Sequence, residues 1–238
     1  MKAIIDLHCH TISSGHAYST LNENINEAVK KGLKYLGISD HACSLPGAPH
    51  PFFFHNLHVI PRQVENTKML RGIEANIIDY DGNIDVEDSV YEKLDYVIAS
   101  LHSPCIAHGT IEQNTNAILK VMDNPNVKII GHLDDSRYPV EYESIVKKAK
   151  EKNILLEINN SSLSPNSFRQ GADKNISTML KLCKEHGVRV ILGSDSHICY
   201  TIGVFDNSES ALEKEDFPDE LVINYNEDQI IEFFKINF

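Results

Sequence analysis

Short apolar runs alternate with longer amphipathic stretches along this sequence, and this alternation limits the folds that the chain can adopt. The apolar runs are rich in β-branched residues and predict strands at 3–7, 35–39, 70–75, 95–100, 127–131, 154–158 and 189–193. Helical periodicity between them predicts helices at 23–31, 111–122, 141–152, 176–186 and 227–236. Strands that alternate with helices pair in parallel, and continuous apolar strands are covered on both faces. The pattern predicts an α/β protein, built as a closed barrel or as a doubly wound open sheet.

The composition fits one folded domain. Of the 238 residues, 42% are hydrophobic and 24% are charged, and no linker or internal repeat divides them, so we expect a single domain over residues 1–238. The formal net charge of −12 argues against binding nucleic acid through the general surface field. No apolar run is long enough for a signal peptide or a membrane span, so we expect a cytoplasmic protein with no membrane partner.

Residues that commonly bind metals follow the predicted strands. His8 and His10, in "DLHCH", lie two positions apart, so on a strand they share one face. The other members of this set, most of them also at strand ends, are His16, His41, Glu74, His102, His132, Asp195 and His197. Each one alone could be an ordinary surface residue. In a parallel barrel, however, the carboxyl ends of the strands meet at one rim. The common position of these polar residues at strand ends therefore favours the barrel and predicts a metal site at that rim.

The donor types indicate which metals the site would bind. Imidazoles with a few carboxylates and no thiolate cluster favour zinc, manganese or iron over calcium or magnesium. Nine ligands are too many for one ion, so the sequence predicts two or three divalent ions. Zinc is the first choice, with manganese or iron as alternatives.

Six motifs resemble those of the polymerase-and-histidinol-phosphatase (PHP) family of metal-dependent phosphoesterases, most closely its YcdX-like group of bacterial phosphatases. They are "DLHCHT", "HAYSTL", "SDHA", "MLRGIEANI", "LEINNSS" and "LGSDSH", and they extend from residue 6 to residue 197. The resemblance implies a distorted (β/α)7 barrel with its metal site at the C-terminal ends of the strands. It also implies a phosphatase that hydrolyses phosphomonoesters with a metal-bridging hydroxide at a trinuclear site.

The same resemblance implies a role for each site residue. The ligands of the first metal would be His8, His10, Glu74 and Asp195. Glu74 would also bind the second metal, together with His102 and His132. The ligands of the third metal would be His16, His41 and His197. The residues expected to act in catalysis are Glu74, Asp195 and His197, and Arg169, which aligns with an arginine of YcdX-like relatives, is expected to bind substrate. Asn160 is a further candidate for binding substrate because of its position at the end of the sixth strand.

Several neighbouring residues have open roles. Asp6 and Asp40 each lie beside a predicted ligand, and could either support it or face the barrel wall. Cys9 and Cys43 are also near ligands, although strand alternation directs Cys9 away from them. After the fifth-strand histidine, where relatives usually have proline and glycine, this chain has Asp134 and Asp135.

Three alternative functions remain open at this stage. The chain could be a histidinol-phosphatase-like PHP enzyme, an amidohydrolase-type metal hydrolase or a non-catalytic metal-binding module. Amidohydrolases also begin a barrel with H-x-H, but they typically carry a modified lysine after the fourth strand, where this chain has His102. The expected partner is a small phosphorylated substrate, and the sequence does not predict an oligomeric state.

Overall fold

Seven parallel strands form a nearly closed barrel in the computed structural model, which describes residues 1–236. The strands are β1 (Ile5–Asp6), β2 (Tyr35–Ile38), β4 (Thr67–Asn76), β5 (Tyr96–Ser100), β6 (Val127–Ile130), β7 (Leu155–Asn159) and β8 (Val190–Gly193). They are hydrogen-bonded in that order, and a short strand, β3 (Gln63–Val64), pairs antiparallel with β4. The arrangement confirms the predicted distorted (β/α)7 barrel and each of the predicted strands.

The first and last strands of the barrel meet near their carboxyl ends. There, the backbone N–H of His10 donates to the carbonyl of Ser196 at 2.8 Å, and that of Ser196 donates to His8 at 3.2 Å. Lower in the seam, the buried side chain of Asn224 donates to the carbonyls of Ile5, at 3.0 Å, and Leu192, at 2.9 Å. A side-chain amide thus replaces strand pairing and satisfies backbone groups that burial would otherwise leave unpaired.

The helices are α1 (Leu21–Lys31), α2 (Phe52–His55), α3 (Asp88–Tyr91), α4 (Ile111–Val121), α5 (Tyr142–Lys152), α6 (Ala172–His186), α7 (Asp206–Lys214) and α8 (Glu227–Phe234). Helix α1 begins before the predicted start, because Thr20 and Glu23 form a capping box. Helix α6 begins at Ala172 rather than 176, directly after Gly171, whose φ of +69° places it in the left-handed region. Helices α2, α3 and α7 were not predicted. Within residues 1–236, no helix is long and apolar enough to cross a bilayer.

Apolar side chains fill the barrel below the carboxyl ends of the strands. Tyr96 belongs to this interior cluster, and its hydroxyl donates to the carbonyl of Leu7 at 2.7 Å. Gly72 makes room for it, because a Cβ at this position would lie 2.1 Å from the Tyr96 ring. Phe233 and Phe234 of α8 pack on the same cluster. The filled interior leaves the rim at the carboxyl ends as the place where polar groups of several strands can meet.

Candidate metal centre

All nine predicted ligands lie at this rim, in or directly after the carboxyl ends of the strands or in the loop after β1. Glu74 occupies the middle of the group and is fully buried near the end of β4. Its Oε1 lies 2.9 Å from Nε2 of His132, 3.2 Å from Nε2 of His102 and 3.3 Å from Nε2 of His8. One carboxylate oxygen therefore faces imidazole nitrogens that come from three different strands.

The second oxygen of Glu74 faces the opposite part of the cluster. Its Oε2 lies 2.7 Å from Nδ1 of His41 and 3.5 Å from Nε2 of His10. Glu74 therefore has imidazole nitrogens on two sides, a position that would suit a ligand shared by two ions.

Asp195 and His197 complete the rim on the side of β8. Oδ1 of Asp195 lies 3.3 Å from Nε2 of His10 and 3.5 Å from Nε2 of His8. Nε2 of His197 lies 3.0 Å from Nε2 of His16. Two ligands of this rim, His132 and Asp195, have positive φ angles of +22° and +52°. Such backbone strain costs roughly 1–3 kcal/mol for a residue other than glycine, and it is typical of functional sites.

The buried polar atoms of the cluster fit divalent cations. Four buried atoms of the cluster make no hydrogen bond within the described residues: Nε2 of His8, Nε2 of His10, Nδ1 of His41 and Oε2 of Glu74. The last two lie 2.7 Å apart, but not with the geometry of a hydrogen bond. Buried polar atoms are almost always paired, so a shared group of unpaired nitrogen and oxygen atoms is what a metal site requires.

Groups of three donors within 4.8 Å of one another include His8 with His10 and Glu74, and His41 with Glu74 and His102. A further group joins His10, His41 and His197, so His10 lies nearer to the expected third site than the resemblance implied.

Electrostatic effects hold most of these groups in the forms that bind metals. Burial disfavours ionisation of Glu74, but His8 and His41 hold the pKa of its carboxyl well below its usual range. Burial lowers the pKa of His102 to about 4, and burial together with neighbouring imidazoles lowers the pKa of His10 well below its usual value. These groups are then carboxylate and neutral imidazole near pH 7. For His8, burial is outweighed by nearby carboxylates, Glu157 foremost, which raise its pKa well above the usual value.

Glu157 contacts two of the predicted ligands, and the sequence did not indicate this role. Its Oε1 accepts from Nδ1 of His8 at 2.6 Å, which leaves Nε2 of His8 facing the cluster. Its Oε2 accepts from the backbone N–H of His132 at 2.8 Å. Gly193 makes room for this carboxylate, because a Cβ there would lie 1.9 Å from Oε1. The available signal was a single acidic residue inside the apolar run "ILLEI".

Other polar residues contact two more of the predicted ligands, His102 and His10. Asn76, which was also missed, accepts from Nδ1 of His102 at 2.7 Å. Asp40 supports His10 indirectly: Ser14 donates to Asp40 at 2.7 Å, and the same hydroxyl lies 3.1 Å from Nδ1 of His10. Such contacts fix the ring orientation of a metal-binding histidine.

The other open candidates do not face the cluster. Asp6 belongs to the barrel wall, where it accepts from the backbone of Gly203 at 2.8 Å. The thiol of Cys9 lies 3.8 Å from the hydroxyl of Ser194, and Cys43 is exposed.

A cavity of about 570 Å³ opens onto the cluster. Arg169 lines it with a side chain that is only 7% exposed, and Nη1 of Arg169 donates to Asp195 at 3.0 Å. Asn160 is engaged elsewhere, since its side-chain oxygen accepts from the backbone of Asn207 and Ser208 at the start of α7. The binding of substrate by Asn160 stays a prediction, and Arg169 is the better placed of the two residues.

The two acidic residues after His132 have different surroundings. Asp135 lines the cavity and accepts from Nε of Arg137 at 2.9 Å. Asp134 is buried, and burial raises the pKa of its carboxyl to about 6 even though Arg169 opposes the shift. Asp135 is therefore paired with Arg137, whereas Asp134 is not among the residues that line the cavity and affects Arg169 only through its charge.

Comparison with known proteins places this geometry in a family. Residues 6–161 match the model of the PHP domain family. The chain is 52% identical over 235 residues to a protein named probable phosphatase from Clostridium novyi (strain NT), covering 99% of this chain and 96% of that protein. It is 49% identical over the same length to a probable phosphatase from Clostridium acetobutylicum, with the same coverage of both chains.

A solved structure has the same fold at low sequence identity. It is the histidinol phosphate phosphatase from Lactococcus lactis subsp. lactis Il1403, complexed with zinc, L-histidinol and phosphate. The TM-score is 0.59 at 17% identity, and the match covers 92% of this chain and 95% of that one. On the evidence of the matched family model and of relatives that are similar over nearly their whole length, this chain belongs to the PHP domain family.

Proposed function

We propose that this protein is a metal-dependent phosphatase that hydrolyses small phosphomonoesters at a site for up to three divalent ions. The observation that carries the proposal is the buried carboxylate of Glu74 beside a cavity lined by Arg169. Three of the histidine nitrogens around this carboxylate make no hydrogen bond within residues 1–236. The relatives support the proposal, because they are named probable phosphatases and are 52% and 49% identical to this chain over nearly its whole length.

The expected ligand sets follow from the donor positions. Zinc is our first choice because the donors are imidazoles and carboxylates, with manganese or iron as alternatives. We assign His8, His10, Glu74 and Asp195 to one ion, Glu74, His102 and His132 to a second, and His16, His41 and His197 to a third. When bound, divalent ions would activate water and offset the negative charge of the phosphoryl group.

Arg169 is the side chain that we assign to the phosphate. A guanidinium has five N–H donors, so Arg169 can hold Asp195 and still donate to phosphate oxygens. Nearby carboxylates, Asp195 foremost, more than offset the effect of burial and raise the pKa of Arg169, so it carries its positive charge at any working pH. A chain with a net charge of −12 thus presents a local cation where an anionic group would enter.

The cavity favours a small substrate. Its volume of about 570 Å³ falls within the usual range for sites that enclose small molecules, roughly 300–1,000 Å³. Together with the acidic surface charge, this supports a small phosphorylated compound rather than a nucleic acid.

The proposal is tested by elemental analysis of the purified protein, combined with phosphate release from a generic phosphomonoester before and after chelation. We expect close to three transition-metal ions per chain, and release that stops on chelation and returns with zinc or manganese. Failure to release phosphate after reconstitution with either metal would contradict a phosphatase and favour a metal-binding module without catalysis.

A further inference from the structure

The cavity in front of the metal centre has walls that differ from its floor. The floor is formed by predicted metal ligands and Arg169. Many of the wall residues are apolar or aromatic: Leu45, Pro46, Leu101, Pro104, Tyr138 and Phe168. A substrate whose phosphate binds at the floor must therefore place its alcohol portion against these side chains.

The polar groups in the walls are mostly engaged with the protein itself. Arg137 and Asp135 pair with each other, with Nε of the arginine 2.9 Å from the carboxylate. The hydroxyl of Tyr138 donates to the carbonyl of Ile106 at 2.8 Å, and that of Ser103 lies 2.9 Å from Nε2 of His108. A substrate rich in hydroxyl groups would lose hydrogen bonds to water and find few free partners here, which is costly for each unpaired group.

Phe168 is the most unusual residue of the walls. It is 70% exposed, although a large apolar side chain gains free energy from burial. Its ring centroid lies 5.2 Å from the guanidinium carbon of Arg169 and 5.3 Å from that of Arg137. Because Arg169 is the proposed phosphate ligand, an alcohol group next to the phosphate would contact Phe168 and shield it from water.

We infer that the substrates of this site are phosphomonoesters of compact apolar alcohols, such as those with a single ring, rather than phosphates of sugars or other polyols. The inference rests on the proposed phosphatase function and adds the substrate class. The apolar wall supplies the preference, because it rewards an apolar group that leaves water and penalises buried hydroxyls.

Two probes test the preference with the metal-loaded full-length protein: benzyl phosphate and glycerol 3-phosphate. Both release a primary alcohol, so the two leaving oxygens are chemically similar and the comparison reports recognition. We expect kcat/KM to be about tenfold to a hundredfold higher for benzyl phosphate, the range that an apolar pocket gives. Equal values, or a preference for glycerol 3-phosphate, would overturn the inference while leaving the phosphatase function in place. Hydrolysis of neither probe would contradict the function itself, and the inference with it.

Variants of the wall locate the origin of the preference. Phe168→Ala should lower the ratio of the two kcat/KM values roughly threefold to tenfold, because the apolar contact is lost. If the substitution also disturbs Arg169, both substrates are affected alike and the ratio does not change for that reason. Leu45→Asn changes a second wall position at similar size and should lower the ratio too. The control is Phe52→Ala, because Phe52 is equally exposed at 72% but lies on α2, outside the residues that line the cavity. A ratio that stays the same in both wall variants would show that the wall does not select the substrate.

Discussion

Glu74 is the residue on which the proposed centre depends most, because both of its oxygens lie among histidine nitrogens. Glu74→Ala should therefore remove two metal ions per chain rather than one, and should lower phosphate release more than about 100-fold, since even residues that only support a ligand cost 10–100-fold. Elemental analysis and initial rates check this, with Glu185→Ala, an exposed change on α6, as the control. Full metal content in Glu74→Ala would refute the bridging role.

A substitution of Glu157 tests whether a residue that only contacts a proposed ligand also strengthens metal binding. Glu157→Gln keeps the shape of the side chain but removes the negative charge that accepts from His8 at 2.6 Å. We expect zinc to bind about 10–100-fold more weakly, measured by competition with a chelator of known affinity. Glu112→Gln, an exposed change on α4, should leave zinc affinity unchanged. Equal affinities in the two variants would mean that Glu157 only fills space.

Arg169 should affect substrate binding more than metal binding. Arg169→Ala removes a buried positive charge from the cavity, so KM for a phosphomonoester should rise about tenfold or more while metal content stays close to that of the unmodified protein. Arg189→Ala, directly before β8 and outside the residues that line the cavity, is the control. If KM were unchanged and metal content fell, Arg169 would instead serve to hold Asp195.

The residues proposed as ligands could be picked out in the sequence because most of them follow strands, and strands are the strongest local signal in this chain. Glu157 and Asn76 could not be assigned roles in the same way. Glu157 contacts His8, which lies 149 positions away in the sequence. The side chain of Glu157 fits there because Gly193 has no Cβ. Asn160 differs from these two residues, because its position at a strand end did draw attention to it. That position did not indicate that its side-chain oxygen accepts hydrogen bonds from the start of α7.

At the scale of secondary structure, the sequence predicted elements with strong periodicity and missed short ones. Helices α2 and α3 have four residues each, too few to establish a period. Helix α7 buries only Ser208 and Leu212, so it has no continuous apolar stripe. The start of α1 was misplaced because its boundary depends on a reciprocal pair of side chains, Thr20 and Glu23, rather than on apolar spacing.

This cap of α1 carries a stability prediction. The hydroxyl of Thr20 accepts from the backbone N–H of Glu23 at 3.3 Å, so Thr20→Ala should lower the free energy of unfolding by about 1 kcal/mol. Urea denaturation measures the change. The matched control is Thr178→Ala, an exposed threonine inside α6, which should change stability by less than about 0.5 kcal/mol. A loss of the same size at both positions would indicate that the cap contributes nothing specific.

At the scale of the whole molecule, the closed barrel was favoured over the open sheet only because polar residues gathered at strand ends. The closure itself depends on residues that carry no such signal. Asn224 lies outside the strands, yet its amide joins Ile5 and Leu192 across the seam. These hydrogen bonds form only after segments that are distant in the sequence come together in the folded protein. The local sequence pattern therefore does not predict them.

The same closure gathers the proposed ligands from both ends of the chain, from His8 to His197, so metal binding should stabilise the entire fold. Ions that bind the assembled site and not the unfolded chain would, at a free concentration 100 times the dissociation constant, add about 2.7 kcal/mol. For a chain of 238 residues, this corresponds to a rise in Tm of roughly 5–10 °C when zinc is returned to chelated protein. Thermal denaturation followed by circular dichroism measures the rise, and Glu74→Ala should show less of it. If zinc left Tm unchanged in protein that binds it, the ligands would be equally available in the unfolded chain, and the barrel would not be what assembles the site.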